Sequence, residues 1–146
     1  MMEKRKANVL LVDDEEQFLD ALSQRLEARG LKVKAVTSGE DAVDQVEDHN
    51  FDAIIVDLAM PGIDGIETLK RIKEKRPDLE IIMLTGHATV KSGIEAMKLG
   101  ADDFLEKPVD LNVLLEKIGK AKHKRMLVVE KGRQEDVKKI LKSKTW

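Results

Sequence analysis

Five short apolar segments recur along the first three quarters of the chain. Valine, isoleucine and leucine dominate most of them, and this length and content favour β-strands over buried helical segments. The segments are NVLLV (8–12), KVKAV (32–36), AIIV (53–56), EIIML (80–84) and the weaker DDFLE (102–106). We therefore predict five strands, of which the first, third and fourth are apolar enough to be covered on both faces.

The stretches between these strands carry apolar residues at helical spacing. They predict helices over 15–29, 38–48, 65–75, 90–99 and from 110 onward. Ser38, Asp64 and Asp110 stand at the starts of three of them, where a short polar side chain caps free backbone N–H groups. Strands alternating with helices predict an α/β protein with a doubly wound, five-stranded parallel sheet and five helices on its two faces.

Charge and periodicity divide the chain into three parts. Residues 1–6 form a polar N-terminal extension, 7–123 hold the predicted α/β unit, and 124–146 form a basic tail. Between 120 and 146, ten lysines and arginines stand against three acids, and the apolar residues of the tail keep helical spacing. We interpret this tail as a solvated helix extension or linker rather than a specific binding element.

The total charge is nearly balanced, with 26 Lys and Arg against 28 Asp and Glu. Nothing in this balance attracts nucleic acid or an anionic membrane, so direct nucleic-acid binding by this chain is not expected. The absence of cysteine excludes disulfides and thiolate metal sites. Without a long apolar stretch or a signal peptide, the sequence predicts a cytoplasmic protein that has no membrane contacts.

Residues with useful chemistry stand directly after four of the predicted strands. The first strand is followed by Asp13 and Asp14, the third by Asp57, the fourth by Thr85 and the fifth by Lys107. In a parallel α/β sheet these strand ends meet at one edge, where ligands bind. Taken singly, each residue is also compatible with a helix terminus, a turn or a solvated charge. Their conjunction is what favours a functional site.

The expected cluster of three carboxylates predicts a divalent cation, because like charges a few Å apart repel each other unless something offsets them. Ligation by oxygen alone suits Mg²⁺, or Mn²⁺, better than Zn²⁺. A cation, an ammonium group and a hydroxyl around one carboxylate predict a phosphoryl-transfer site.

Four motifs at these positions resemble the receiver domain of two-component response regulators, which the chemotaxis response regulator typifies. They are LLVDDEE, VDLAMPGIDG, MLTGH and DFLEKP, and the resemblance covers about residues 7–123. It implies a flavodoxin-like sheet with the strand order 2-1-3-4-5. It also implies a signalling protein rather than an enzyme, one that accepts a phosphoryl group from a sensor histidine kinase or a phosphotransfer protein.

The same resemblance implies the roles of the acidic residues and the lysine. Asp57 is implied to be the phosphoacceptor. Asp14 would hold Mg²⁺ directly and Asp13 largely through water, while Asp57 and the main-chain carbonyl of Ala59 complete the protein ligands. Lys107 would pair with the phosphoryl oxygens.

The remaining roles that the resemblance implies concern switching. Thr85 would hydrogen-bond a phosphoryl oxygen, and Phe104 stands at the position of the switch aromatic of the family. The Lys107–Pro108 peptide bond is implied to be cis, which costs little before proline. Ala59 and His87 stand at the two positions that tune how long the acyl phosphate lasts.

Three residues that break regular structure follow Asp57 closely. Pro61, Gly62 and Gly65 are predicted to shape the loop beside the site, the glycines by adopting backbone conformations that other residues resist.

Two other functions fit a carboxylate at this edge less well. A Mg²⁺-dependent aspartyl-phosphate phosphatase of the haloacid-dehalogenase type needs a second acid two residues after its nucleophile, where this chain has Ala59. A flavodoxin-like nucleotide binder needs a glycine-rich loop after the first strand, and that loop is missing.

Within the receiver family, two interpretations stay open. The chain is either a stand-alone receiver that docks on a downstream protein target, or the receiver of a longer transcriptional regulator with an output domain. In both, the resemblance implies that phosphorylation switches the face formed by the fourth helix, the fifth strand and the fifth helix. Formation of a homodimer on phosphorylation is compatible with either.

Overall fold

The computed structural model describes residues 6–60, 62, 64–86 and 90–143, with the side chains of 90, 128–130, 132, 133 and 135–143 left out. The described residues form a five-stranded parallel sheet in the order β2-β1-β3-β4-β5. The strands are β1 (Asn8–Val12), β2 (Lys32–Val36), β3 (Ala53–Asp57), β4 (Ile81–Thr85) and β5 (Asp103–Glu106). The helices are α1 (Glu16–Ala28), α2 (Gly39–Asp48), α3 (Gly65–Lys75), α4 (Val90–Lys98) and α5 (Leu111–Ser143). The predicted fold class and strand order are confirmed.

The ends of two strands differ from the prediction in a way that matters for the site. Asp57 and Thr85 are predicted to follow their strands, but each is the last residue of its strand. The reason is that the backbone ladder continues beyond the apolar run, pairing Asp57 with Leu84 and Thr85 with Glu106. Both polar side chains are therefore carried by the sheet itself rather than by a loop.

Side-chain caps begin three of the helices, as their sequences predict. The N–H of Asp41 donates to Ser38 Oγ at 3.1 Å at the start of α2, and the N–H of Glu67 donates to Asp64 Oδ1 at 2.9 Å at the start of α3. Asp110 accepts a 2.9 Å hydrogen bond from the backbone N–H two residues on, just inside α5. Each cap satisfies a backbone donor that the helix leaves free.

Helices cover both faces of the sheet, and the strand residues alternate between two apolar clusters. In β1, Leu10 and Val12 join the cluster formed with α2, α3 and α4, whereas Val9 and Leu11 join the cluster formed with α1 and α5. β3 and β4 are buried along their whole length. This explains their continuous apolar sequence, since a strand covered on both faces has no solvent side.

Helix α5 continues without a break through residue 124, where the basic tail is predicted to begin. Arg125 Nη1 donates to Asp78 Oδ2 at 2.6 Å, and Arg76 Nε donates to the other oxygen of Asp78 at 3.3 Å. Burial alone would raise the pKa of Asp78, but the hydrogen bonds from Arg125 and Arg76 lower it to about 2. Asp78 precedes β4, so this ion pair attaches α5 to the edge where the strands begin. The acidic residues lie at the other edge, where the strands end.

Candidate functional site

Three carboxylates meet where the strand order reverses. Asp13 and Asp14 follow β1, and Asp57 ends the neighbouring strand β3. One oxygen from each of these side chains lies within 4.8 Å of the other two. This is the crevice at the carboxyl ends of the strands in which open α/β sheets bind their ligands.

Asp57 is buried in this cluster, in surroundings that favour its protonated form. It is only 5% exposed, and its Oδ1 accepts one long hydrogen bond, from the N–H of Ala59 at 3.4 Å. Burial, and next the charge of Asp13, raise its pKa from 3.8 to about 6, with a smaller contribution from Asp14. Lys107 and the N–H of Ala59 offset part of this rise. A group that neutralises charge here would therefore stabilise the ionised carboxylate.

Lys107 reaches Asp13, the nearest acid to its ammonium group. Its Nζ donates to Asp13 Oδ2 at 2.7 Å and lies 3.7 Å from Glu15 Oε1. Burial by itself lowers the pKa of Lys107, but the hydrogen bond and charge of Asp13, followed by the charges of Asp57 and Glu15, raise it above its ordinary value. The lysine is therefore a firmly protonated cation at the rim of the carboxylate cluster.

The backbone of Lys107 is hydrogen-bonded as well as its side chain. Its N–H donates to the carbonyl of Thr85 at 2.7 Å, which joins the end of β5 to the end of β4. The peptide bond between Lys107 and Pro108 is cis. The residue that supplies the cation is thus fixed to the strand that supplies the hydroxyl.

Asp13 is held from two sides, whereas Asp14 is not buried. Asp13 Oδ1 accepts the N–H of Glu15 at 2.9 Å, and Asp13 Oδ2 accepts the ammonium group of Lys107. Asp13 is 2% exposed, while Asp14 is exposed to solvent. Three carboxylates clustered in this way fit a hard divalent cation such as Mg²⁺, which prefers oxygen ligands and keeps several waters.

The other predicted site residues lie around this centre. Thr85 is buried at the end of β4, on the strand beside Asp57. Phe104 lies in β5 and is half buried against the α2, α3 and α4 side of the core, with its ring next to Gly93 of α4. Ala59 is exposed just beyond Asp57. His87 lies outside the described residues.

Phe18 also contacts the site, although the sequence pattern does not predict this. Its apolar character predicts only a core-facing position in the first helix. In the structure, the ammonium group of Lys107 lies over the Phe18 ring, with Nζ 4.2 Å from the ring centroid. One feature of the sequence could have indicated this contact. Phe18 lies in the first turn of the helix that follows the acidic pair, and this turn begins at the edge of the sheet where the acids lie.

Gly65 has a different role from the one predicted. Its φ is not positive, whereas Gly62 has φ +78°, so the explanation by backbone conformation is right for Gly62 and wrong for Gly65. At Gly65 the constraint is space. A Cβ there would lie 2.3 Å from the carbonyl oxygen of Asp57 and 2.6 Å from Cα of Leu58. The N–H of Gly65 donates to the Leu58 carbonyl at 2.9 Å, which draws the start of α3 against the end of β3.

The fold and the acidic cluster together define a receiver-like α/β protein, and comparison with known proteins agrees. The family model of the response regulator receiver domain matches residues 9–119, and the chain belongs to this family. Receiver domains are signalling domains that work with histidine kinases and output domains. No observation favours the phosphatase alternative.

Two solved structures and one curated relative illustrate the similarity. The C4-dicarboxylate transport transcriptional regulatory protein DctD of Pseudomonas aeruginosa is 39% identical over 126 residues, which are 86% of this chain and 27% of that protein. A CheY-like receiver domain from Methanospirillum hungatei is 30% identical, with a TM-score of 0.79 over 84% of this chain and 98% of its own. A response regulator from Burkholderia pseudomallei, with a phosphorylated aspartic acid and a calcium ion, is 28% identical. Its TM-score is 0.73 over 89% of this chain and 75% of its own. The chain thus spans about a quarter of the length of DctD.

Among the helices of the described residues, none combines the length with the apolar character that crossing a membrane requires.

Proposed function

We propose that Asp57 accepts a phosphoryl group from the phosphohistidine of a sensor kinase or phosphotransfer protein. The observation that carries this proposal is the meeting of the buried Asp57 with Asp13 and Asp14 at the strand-order reversal, with Lys107 bound at the rim. Support also comes from the structurally similar Burkholderia pseudomallei protein, whose structure holds a phosphorylated aspartic acid.

In the transfer, a carboxylate oxygen of Asp57 forms the bond to phosphorus while the P–N bond of the donor breaks, and the departing imidazole takes up a proton from solvent. The ammonium group of Lys107 is near enough to the cluster to turn from Asp13 to a phosphoryl oxygen. Thr85, at the end of the next strand, is proposed to hydrogen-bond another. Both residues would stabilise negative charge on the transferred group.

The donor set fits Mg²⁺, with Mn²⁺ as the alternative. We assign Asp57, Asp14 and the main-chain carbonyl of Ala59 as direct ligands, with Asp13 acting through water. Support for this division comes from the Asp13 oxygens, which already accept hydrogen bonds from protein donors, whereas Asp14 is exposed. A bound cation would neutralise the carboxylates and the charge on the phosphoryl group. The side chain of Ala59 cannot hold an attacking water, which favours a moderate or slow loss of the phosphate, and His87 is proposed to share in this tuning.

Exchange of Asp57 for asparagine tests the phosphoacceptor assignment. The native protein, incubated with acetyl phosphate and Mg²⁺, should gain the mass of one phosphoryl group, and Asp57→Asn should gain none, because an amide oxygen is not an adequate nucleophile. Intact-mass spectrometry measures this. Asp52→Asn is the matched control, since Asp52 is equally buried but precedes β3 at its other end. Equal mass gain in the native protein and Asp57→Asn would contradict the assignment.

We further propose that phosphorylation acts on the face formed by α4, β5 and α5, with Phe104 as the switch. Among the described residues, α4 and α5 expose five large apolar side chains, which are Ile94, Met97, Val113, Met126 and Leu127. Exposed apolar residues that form one contiguous patch would suit an interaction site. The partner is proposed to be an output domain, a downstream protein or a second copy of the chain. The absence of cysteine favours the cytoplasm as the compartment in which the phosphoryl transfer takes place.

Sizing chromatography with beryllofluoride, a phosphoryl mimic, tests whether the partner of this face is a second copy of the chain. If phosphorylation drives dimerisation, the native protein should elute earlier with beryllofluoride and Mg²⁺, while Asp57→Asn should not shift. Ile94→Ser should weaken the shift, because it removes apolar area from the face. An unchanged elution volume of the native protein, with beryllofluoride binding confirmed by calorimetry, would exclude the dimer.

A further inference from the structure

The Phe18 ring and the Lys107 ammonium group form a contact that none of the roles above explains. Nζ lies 4.2 Å from the ring centroid, well inside the range of about 6 Å in which a cation is attracted to the face of an aromatic ring. The lysine side chain is 14% exposed, so water competes weakly for the ammonium group. Phe18 itself is half buried and packs against the apolar cluster of α1 and α5, which keeps the ring in place.

We propose that Phe18 is a positioning residue that holds the ammonium group of Lys107 beside the phosphoacceptor. This inference rests on the proposed phosphorylation of Asp57. The lysine must change its hydrogen-bond partner during the reaction, leaving Asp13 for a phosphoryl oxygen. A hydrogen bond fixes one direction, whereas the face of an aromatic ring attracts a cation over its whole area. The ring therefore keeps the ammonium group near the site while its partner changes.

An aliphatic side chain would fill the same space without this attraction. The ammonium group would then be held chiefly by its hydrogen bond to Asp13, since Glu15, 3.7 Å away, is largely exposed. The long and flexible lysine side chain would spend less time in the reactive position. The expected consequence is a slower phosphorylation step with an intact fold.

Variants at position 18 and fluorinated phenylalanines test this proposal. Fluorine atoms weaken the negative face of the ring in steps while changing its size little. We expect the rate constant of phosphorylation by acetyl phosphate to fall at each added fluorine, and to fall about fivefold to tenfold in Phe18→Leu. Phe18→Tyr and Phe18→Trp, which keep an aromatic face, should retain most of the rate. Urea denaturation of each protein reports packing separately.

A rate that does not change along the fluorinated series, or a Phe18→Leu protein that reacts as fast as the native one, would overturn the proposal. A loss of stability that accounts for the loss of rate would also overturn it, because it would show that the ring serves packing alone. Failure of the native protein to be phosphorylated would instead contradict the assignment of Asp57. In that case the NMR order parameter of the Lys107 Cε group still tests the contact, since it should fall as fluorine is added.

Discussion

Replacing Gly65 with alanine is expected to lower the free energy of unfolding by roughly 3 kcal/mol, the upper end for overpacking a rigid site. The new Cβ would lie 2.3 Å from the carbonyl oxygen of Asp57 and 2.9 Å from that of Leu58. Both are backbone atoms, so no flexible side chain can move aside. The end of β3 and the start of α3 would have to separate. Urea denaturation followed by circular dichroism measures the change.

The consequence for function follows from the same contact. Any Gly65→Ala protein that folds must displace the peptide group that carries Asp57, so its rate of phosphorylation should fall as well as its stability. Gly119→Ala is the matched control, because no atom lies within 4 Å of a Cβ at this exposed position in α5. That control should gain up to about 1 kcal/mol from its better helix propensity. A Gly65→Ala protein as stable as the native one would refute the steric explanation.

Replacing Asp57 with asparagine is expected to stabilise the protein at neutral pH. The folded protein holds the proton of Asp57 more tightly than the unfolded chain does, because burial and Asp13 raise the pKa from 3.8 to about 6. Stability is therefore lost as the pH rises between these two values, and the loss is complete above about pH 6. The shift corresponds to at most about 3 kcal/mol, of which we expect about 2 kcal/mol to be recovered in Asp57→Asn.

This gain should depend on pH and on Mg²⁺. At pH 4 most of the difference between Asp57→Asn and the native protein should disappear, because the native carboxyl is then protonated in the folded state. Mg²⁺ should stabilise the native protein more than the variant, since it binds the folded site and offsets the carboxylate repulsion. Urea denaturation at pH 4 and 7.5, with EDTA or Mg²⁺, gives the four free energies needed for each protein. Asp20→Asn, which alters an exposed carboxylate in α1, is the control.

A native protein as stable as Asp57→Asn at pH 7.5 in EDTA would show that the buried carboxylate is not destabilising. Equal stabilisation of both proteins by Mg²⁺ would show that the cation binds without Asp57. The first outcome concerns the electrostatics of the site, and the second concerns its ligands.

The fold could be predicted from sequence because its signals are local. Strand and helix periodicities, and the caps at Ser38 and Asp64, depend on residues a few positions apart. The polar residues beyond each strand could also be placed at one edge, because parallel strands all end there. The ends of β3 and β4 could not be set exactly, since the backbone ladder pairs polar residues as readily as apolar ones.

The contacts within the site are long-range and were decided by the tertiary structure. The sequence alone determined the sheet, the helices and the meeting of acids, hydroxyl and lysine at one edge. The tertiary structure decided that Lys107 binds Asp13, 94 positions away, and lies over Phe18, and that Gly65 leaves room for the Asp57 carbonyl. The physical reason is that distances of a few Å between residues remote in sequence depend on how all the elements pack, and periodicity does not record them.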